Sequence, residues 1–321
     1  MRNDLLIYIV RRLFVGLLVL VILSFAVFVL LFISPGNVVD VLLGAAPRTP
    51  QTVANLRHQF HLDKPFLVQY WIWLRDAVQL HFGTSNVTQA NVVTELQRRL
   101  PISMFLGFYA YLITLLLGII PGVIAALKNT KNMGRLVVAS SIVALCAPAF
   151  VTGVFLLFLF AVVWHLFPIA GAGDPAFVDR LWHLTLPALA LALPAAAFVL
   201  RHTRASVLTV MNQDYVTFAR ARGLGWRRIV LTYTLRNALI PVVTASGLML
   251  AFLITGAVLV ETTFSVPGIG LLLVTSAQVK DLPMLQGLCV VVAIIVIVAN
   301  LLADILYALI DPRIRLGRKT A

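Results

Sequence analysis

Charge is scarce in this sequence. Only 12% of its 321 residues are Asp, Glu, Lys or Arg, about half the share of an average soluble domain. Hydrophobic residues make up 61% and the mean hydropathy is +0.99. That balance excludes a soluble globular protein, a disordered tail and an ordinary nucleic-acid-binding domain. Two Cys with no CxxC spacing exclude a disulfide framework and a structural zinc site. Each of the five Lys follows a residue other than Gly: Asp63, Leu127, Thr130, Val279 and Arg318. The pattern GxxxxGK[ST], whose amides and Lys cradle phosphates, therefore cannot occur. No GxSxG elbow and no HExxH helix is present, so the usual hydrolase and zinc-protease signatures are missing. If this chain moves anything uphill, the energy comes from another polypeptide.

Long apolar runs dominate what remains. A helix needs about 20 mainly apolar residues to cross the hydrocarbon core, and six windows qualify: Leu13–Ile33, Ile102–Leu127, Leu136–Phe167, Leu181–Leu200, Ala238–Val260 and Leu282–Ala303. The expected fold class is an all-α polytopic membrane protein with six transmembrane helices. Pro148 near the middle of the third window predicts a kink, and Pro187 and Pro194 interrupt the fourth. The first window is longer than the 7–15 residues typical of a signal-peptide core. It is read as an uncleaved span rather than a removed leader.

The net charge of +13 follows the topology. With the N-terminus in the cytosol, the inner segments carry 17 of the 25 Lys and Arg, while Asp40, Asp63, Asp76, Glu95, Asp174, Asp179, Glu261 and Asp281 all fall outside. The positive-inside rule then puts both termini in the cytosol. Ionisable groups at membrane depth mark proton relays and ion paths, and the windows hold almost none. Asp304, His165 and His183 sit near span ends and read as interfacial. A sodium ion held by backbone carbonyls remains an open alternative.

Residues 35–100 separate the first two spans and are too long for a plain connector. Thr49-Pro50 is a helix start, an N-cap followed by proline at the first helical position, with Val53, Leu56 and Phe60 on one face. A second helix is expected over Phe66–Leu80, with Phe66, Tyr70, Trp73, Leu74 and Ala77 on one side. A helical cap on the outer membrane face and a docking surface for an extracytoplasmic partner both fit.

The inner segment 201–237 is the most informative. Asp214 is a strong N-cap residue and Gly223 a strong residue just past a helix end, leaving about two helical turns between them. Small Ala219 and Ala221 allow close approach of another backbone or side chain, and Gly223 and Gly225 allow the chain to turn sharply. Such a capped helix between two spans is a handle by which a partner could move both. A surface loop made basic by topology alone is the plain alternative.

Tyr215-x-x-x-Ala219-Arg220-Ala221-x-Gly223-Leu224, followed by Leu235-Arg236-Asn237-Ala238-Leu239-Ile240-Pro241, resembles the EAA loop of ABC-importer permeases, and is most similar to the B-type permease of the peptide/nickel class. No Glu opens the loop and Pro241 lies further from Gly223 than in sugar or amino-acid permeases; both departures are similar to the peptide subclass. Tyr8–Arg12, Ser34-Pro35-Gly36-Asn37, Leu62-Asp63-Lys64-Pro65, Phe82-Gly83-Thr84-Ser85, Leu259–Gly270 and Asp304–Arg313 match the same class in order, so the resemblance covers nearly the whole chain.

The resemblance implies a type I ABC importer permease fold with a helical extracytoplasmic insertion between helices 1 and 2. Its parts would be residues 1–34 (tail and first span), 35–100 (extracytoplasmic segment), 101–310 (permease core with the loop 201–237) and 311–321 (cytosolic tail). It implies a non-catalytic subunit of an ATP-hydrolysing transporter in the bacterial inner membrane, importing oligopeptides or dipeptides. The alternatives are a nickel, metal-chelate or glutathione-type permease, or a stand-alone secondary carrier. The implied partners are a homologous second permease, two cytosolic ATPases and an extracytoplasmic binding protein. ATP and Mg would be bound by the ATPases, with no cofactor or metal in this chain. The implied ATPase-coupling residues are Asp214, Tyr215, Phe218, Ala219, Arg220, Ala221, Arg222, Gly223 and Leu224.

Overall fold

A computed structural model describes residues 2–33, 39, 49–59, 61–128 and 131–310. Ser34-Pro35-Gly36-Asn37 and the tail 311–321, both used in the sequence reading, lie outside the described residues. Helices come in the order α1 (Arg2–Ile33), α2 (Pro50–Gln59), α3 (Phe66–Val78), α4 (Val92–Lys128), α5 (Lys131–Cys146), α6 (Ala149–Leu156, continued as a π-helical stretch Leu157–Val163), α7 (Phe177–Met211), α8 (Asp214–Ala221), α9 (Trp226–Thr263, π-helical over Ile229–Leu235), α10 (Ile269–Gln278) and α11 (Leu282–Ile310). Five helices are long and apolar enough to cross a membrane, or six if the bent pair α5 and α6 counts as one span.

That bent pair departs from the expected kink. The third window is broken by 100°. Pro148 adopts φ −58°, ψ 142° as the cap of α6. Proline supplies no N–H to continue α5 and disfavours helical backbone in the residue before it. Pro187 and Pro194 behave oppositely. Both lie buried inside one unbroken α7, where packing on neighbouring helices offsets the lost backbone bonds.

The chain forms two compact units. One comprises residues 1–9, 104–266 and 299–321, and α7 is its centre. Leu184, Leu186, Ala188, Ala190, Leu191, Ala192 and Val199 are almost wholly shielded, and α9, α5 and α6 all pack on α7. Close approach is set by small residues. A Cβ on Gly118 of α4 would come within 2.6 Å of Val199, and one on Gly122 within 2.9 Å of the Leu200 carbonyl oxygen. Gly118-Ile-Ile-Pro-Gly122 is a GxxxG pair, the spacing that lets membrane helices touch backbone to backbone. Tyr109 and Tyr111 of α4 reach Thr185 and Ser246 at 3.2 and 3.3 Å, so partly buried hydroxyls satisfy each other.

The other unit comprises residues 10–103 and 267–298. Thr49 caps α2: its Oγ1 accepts from the Thr52 N–H at 3.1 Å, and the Thr52 hydroxyl accepts from the Thr49 N–H at 2.9 Å, a reciprocal cap. The aromatic face of α3 packs on α1, with Phe28 5.5 Å from Phe66, 5.5 Å from Tyr70 and 5.8 Å from Trp73 between ring centres. Ser24 and the Tyr70 hydroxyl meet at 2.9 Å. Phe82, Val92, Leu96, Ile269, Met284 and Leu288 form a core beneath. Asp281 is 97% shielded, and its carboxylate accepts from the Ser85 hydroxyl at 2.5 Å and the Asn86 N–H at 3.3 Å. Glu261, in the first unit, is likewise buried. A low density of charge thus holds for the span centres but not for these helix ends.

Candidate coupling site

The segment 201–237 is almost entirely helical rather than a loop. α7 runs on to Met211 and α9 begins at Trp226, because the apolar period continues past the membrane window and buries Thr203 and Val207. Only Asn212 and Gln213 separate α7 from α8, and only Arg222 to Gly225 separate α8 from α9. A two-turn helix is therefore tied by very short tethers to two long ones. Ala126 of α4, Val207 of α7 and Ala238 of α9 form a packed cluster, and Ser206 donates to the Ala238 carbonyl at 2.8 Å.

The ends of α8 are built differently from each other. Gln213, not Asp214, is the N-cap, and no side chain caps this end. Asp214 is the first helical residue, where its charge still favours the positive end of the helix dipole. The other end closes as expected. Gly223 has φ +74°, its N–H bonds to the Arg220 carbonyl at 2.9 Å, and the Leu224 N–H bonds to the Ala219 carbonyl at 3.3 Å. This is the Schellman arrangement, with its apolar contact from Leu224 onto Val216 and Ala219. Gly225 takes φ −62°, ψ 142°, a conformation open to any residue, so the turn depends on Gly223 alone.

The nine residues singled out from sequence fall on two faces. Val216 and Ala219 point inward against Ile229 of α9, with Val210, Leu224 and Tyr233 around them. Ala219 is 96% shielded by its own chain, and the side chain that approaches it closely is Ile229 of α9. Asp214, Tyr215, Phe218, Arg220, Ala221, Arg222 and Gly223 are exposed. Phe218 is the most prominent, with 69% of its surface open. Tyr215 is held from behind, its hydroxyl accepting from Asn237 Nδ2 at 3.3 Å while the same nitrogen donates to the Tyr233 carbonyl at 2.9 Å.

Trp226 was missed by sequence reasoning. It is half exposed, and the Arg220 guanidinium carbon lies 6.0 Å from its ring centre, at the edge of cation–π range. An exposed aromatic just beyond a capped helix was the available signal. The result is a surface with three exposed aromatic rings, Tyr215, Phe218 and Trp226, and arginines, the residue types enriched where proteins bind each other. The π-helical stretch that follows breaks the regular ladder of α9, as such turns do near functional sites.

Comparison with known proteins places this geometry. The family described as binding-protein-dependent transport system inner membrane component matches residues 92–316, and the companion N-terminal family of such membrane components matches residues 5–107. The oligopeptide transport system permease protein AppB of Bacillus subtilis (strain 168) is 36% identical over 313 residues, 96% of this chain and 98% of that one. The glutathione transport system permease protein GsiC of Shigella flexneri serotype 5b (strain 8401) is 35% identical over 308 residues, covering 96% and 98%. A chain of the inward-facing MetNI methionine ABC transporter matches 68% of this chain and 97% of its own length with a TM-score of 0.56 at 18% identity. The fold is therefore that of a type I ABC importer permease. With both family profiles aligned in order along nearly all of its length, this chain belongs to the inner membrane components of binding-protein-dependent transport systems.

Proposed function

We propose that this chain is one half of the membrane channel of an ATP-driven importer for oligopeptides or dipeptides. A homologous permease forms the other half of the path. Two cytosolic ATPases bind ATP and Mg and grip α8. An extracytoplasmic protein delivers the peptide to the face that carries α2 and α3, and the chain itself performs no chemistry. Both termini lie in the cytosol, as the distribution of Lys and Arg favours.

The observation that carries this reading is α8 itself. Its inner face is locked to α9 through Val216, Ala219 and Ile229, while Phe218, Tyr215 and Arg220 face out. Force applied to the outer face passes through tethers too short to stretch, so closure of the ATPase pair moves α7 and α9 together. The permease names carried by the relatives support peptides as the substrate class. Glutathione, the substrate in the name of a relative of similar identity, is the second reading; it too is a short peptide.

The test is reconstitution of the four-subunit complex in vesicles with its binding protein. Phe218→Ala, on an exposed side chain, should abolish peptide-stimulated ATPase activity and uptake while leaving membrane insertion and assembly of the permease pair intact. Normal coupling in that variant would remove the handle. Transport by the purified chain alone would make it a stand-alone carrier. Labelled di- to hexapeptides, glutathione and nickel offered in parallel separate the substrate classes.

A further inference from the structure

The hydrogen bonds behind α8 have a direction. Asn237 stands just past the π-helical stretch of α9, with its Nδ2 2.9 Å from the Tyr233 carbonyl oxygen and 3.3 Å from the Tyr215 hydroxyl. A carbonyl can only accept, so the nearer contact fixes which end of the carboxamide is nitrogen. An amide nitrogen carries two protons and accepts none. One proton therefore goes to the Tyr233 carbonyl and the other to the phenol oxygen. The phenol's own proton is turned away from Asn237, and among the described residues no group of the chain takes it. Tyr215 is 40% exposed, so that proton faces outward, on the same helix as Phe218.

The base of Asn237 is anchored although its amide is exposed. Tyr233, whose carbonyl it holds, packs against the cluster of Val216, Ala219 and Ile229. The next residue, Ala238, is fully buried, and its carbonyl accepts from Ser206 of α7 at 2.8 Å. The amide thus projects from the junction of α7, α8 and α9 onto the back of the Tyr215 ring. We propose that Asn237 is a positioning residue for the coupling face: it makes Tyr215 a one-way hydrogen-bond donor, and the partner that grips α8 meets that proton with an acceptor oxygen. This rests on the reading of α8 as the gripped handle. What it adds is the polarity of the contact, which belongs to Asn237 rather than to Tyr215, since a phenol left to itself donates and accepts equally well.

The test uses the full-length permease pair in nanodiscs and the purified ATPase pair of the same transporter, with their affinity read by biolayer interferometry. Asn237→Asp keeps the shape and reverses the bond, because a carboxylate accepts from the phenol and draws its proton inward. Affinity should fall about three- to tenfold, as it should in Tyr215→Phe. The double variant should fall no further than either single one. Asn237→Gln, which keeps both N–H donors on a longer arm, should retain more affinity than Asn237→Asp. Both side chains are exposed, so melting temperatures should stay near that of the parent. A spectroscopic readout follows the proton itself. The resonance Raman doublet of Tyr215, isolated by subtracting the Tyr215→Phe spectrum, should report an accepting phenol in the parent and a strongly donating one in Asn237→Asp. Additive losses, an unchanged doublet, or full affinity in Tyr215→Phe overturns the proposal. If Phe218→Ala weakens binding while Tyr215→Phe and Asn237→Asp do not, the proposal fails and the handle stands; if none of the three weakens it, both fail.

Discussion

Gly223 and Gly225 lie two residues apart in the turn after α8, and the structure predicts opposite responses to the same substitution. Gly223 has φ +74°, and a Cβ there would meet nothing within 4 Å. The cost of Gly223→Ala is therefore all backbone, about 1–2 kcal/mol for an L-residue held in left-handed geometry. Gly225 is also open in space but sits at φ −62°. Gly225→Ala should be neutral or stabilise by about 0.4–1 kcal/mol through the unfolded chain. The readout is hydrogen exchange at the Gly223 and Leu224 amides, which close the helix end on Arg220 and Ala219. With 1.4 kcal/mol equal to tenfold, protection corrected for intrinsic rates should fall roughly five- to thirtyfold in Gly223→Ala. It should hold or rise in Gly225→Ala. Peptide-stimulated ATPase activity should drop only in the first. Equal protection in the two variants would refute the assignment of the turn to a single glycine.

Three further outcomes follow from packing and hydrogen bonding. Gly122→Ala places a Cβ 2.8 Å from Thr203 Cβ and 2.9 Å from the Leu200 carbonyl oxygen, so α4 and α7 must separate at about 1–3 kcal/mol. Gly107→Ala, on the same helix with open space around it, should raise the melting temperature or leave it unchanged, and a similar loss in both would exclude close helix contact as the cause. Ser85→Ala removes the hydroxyl donated to buried Asp281 and should cost about 1.5–3 kcal/mol in denaturant melts; Ser85→Ala with Asp281→Asn should recover part of that loss. Thr49→Ala should destabilise α2 by about 1 kcal/mol, seen as faster exchange of the Thr52 amide that its hydroxyl caps, with α3 unaffected.

Features whose cause is local could be read from the residues alone. Five of the six apolar windows reappear within long helices because twenty consecutive apolar side chains leave backbone groups no partners but each other. The Thr49-Pro50 start and the Gly223 stop reappear because an N-cap and a left-handed turn depend on a handful of neighbouring atoms. The short helix α8 was legible for that reason. Its N-cap was misplaced by one residue because Asn212 and Gln213 already close α7 onto α8 and leave Asp214 inside the first turn.

What tertiary structure alone decided depends on atoms far apart in the chain. Whether a proline bends a helix by 100°, as at Pro148, or passes unnoticed, as at Pro187, turns on the neighbours that clamp it. Ala219 reads as a small open residue until Ile229 of α9 covers it. Asp281 reads only as one acid of an outer segment until Ser85, nearly two hundred positions away, donates to it. Hydropathy and capping set which segments become helices; the side chains that meet between those helices set which faces remain to be gripped, filled or left in lipid.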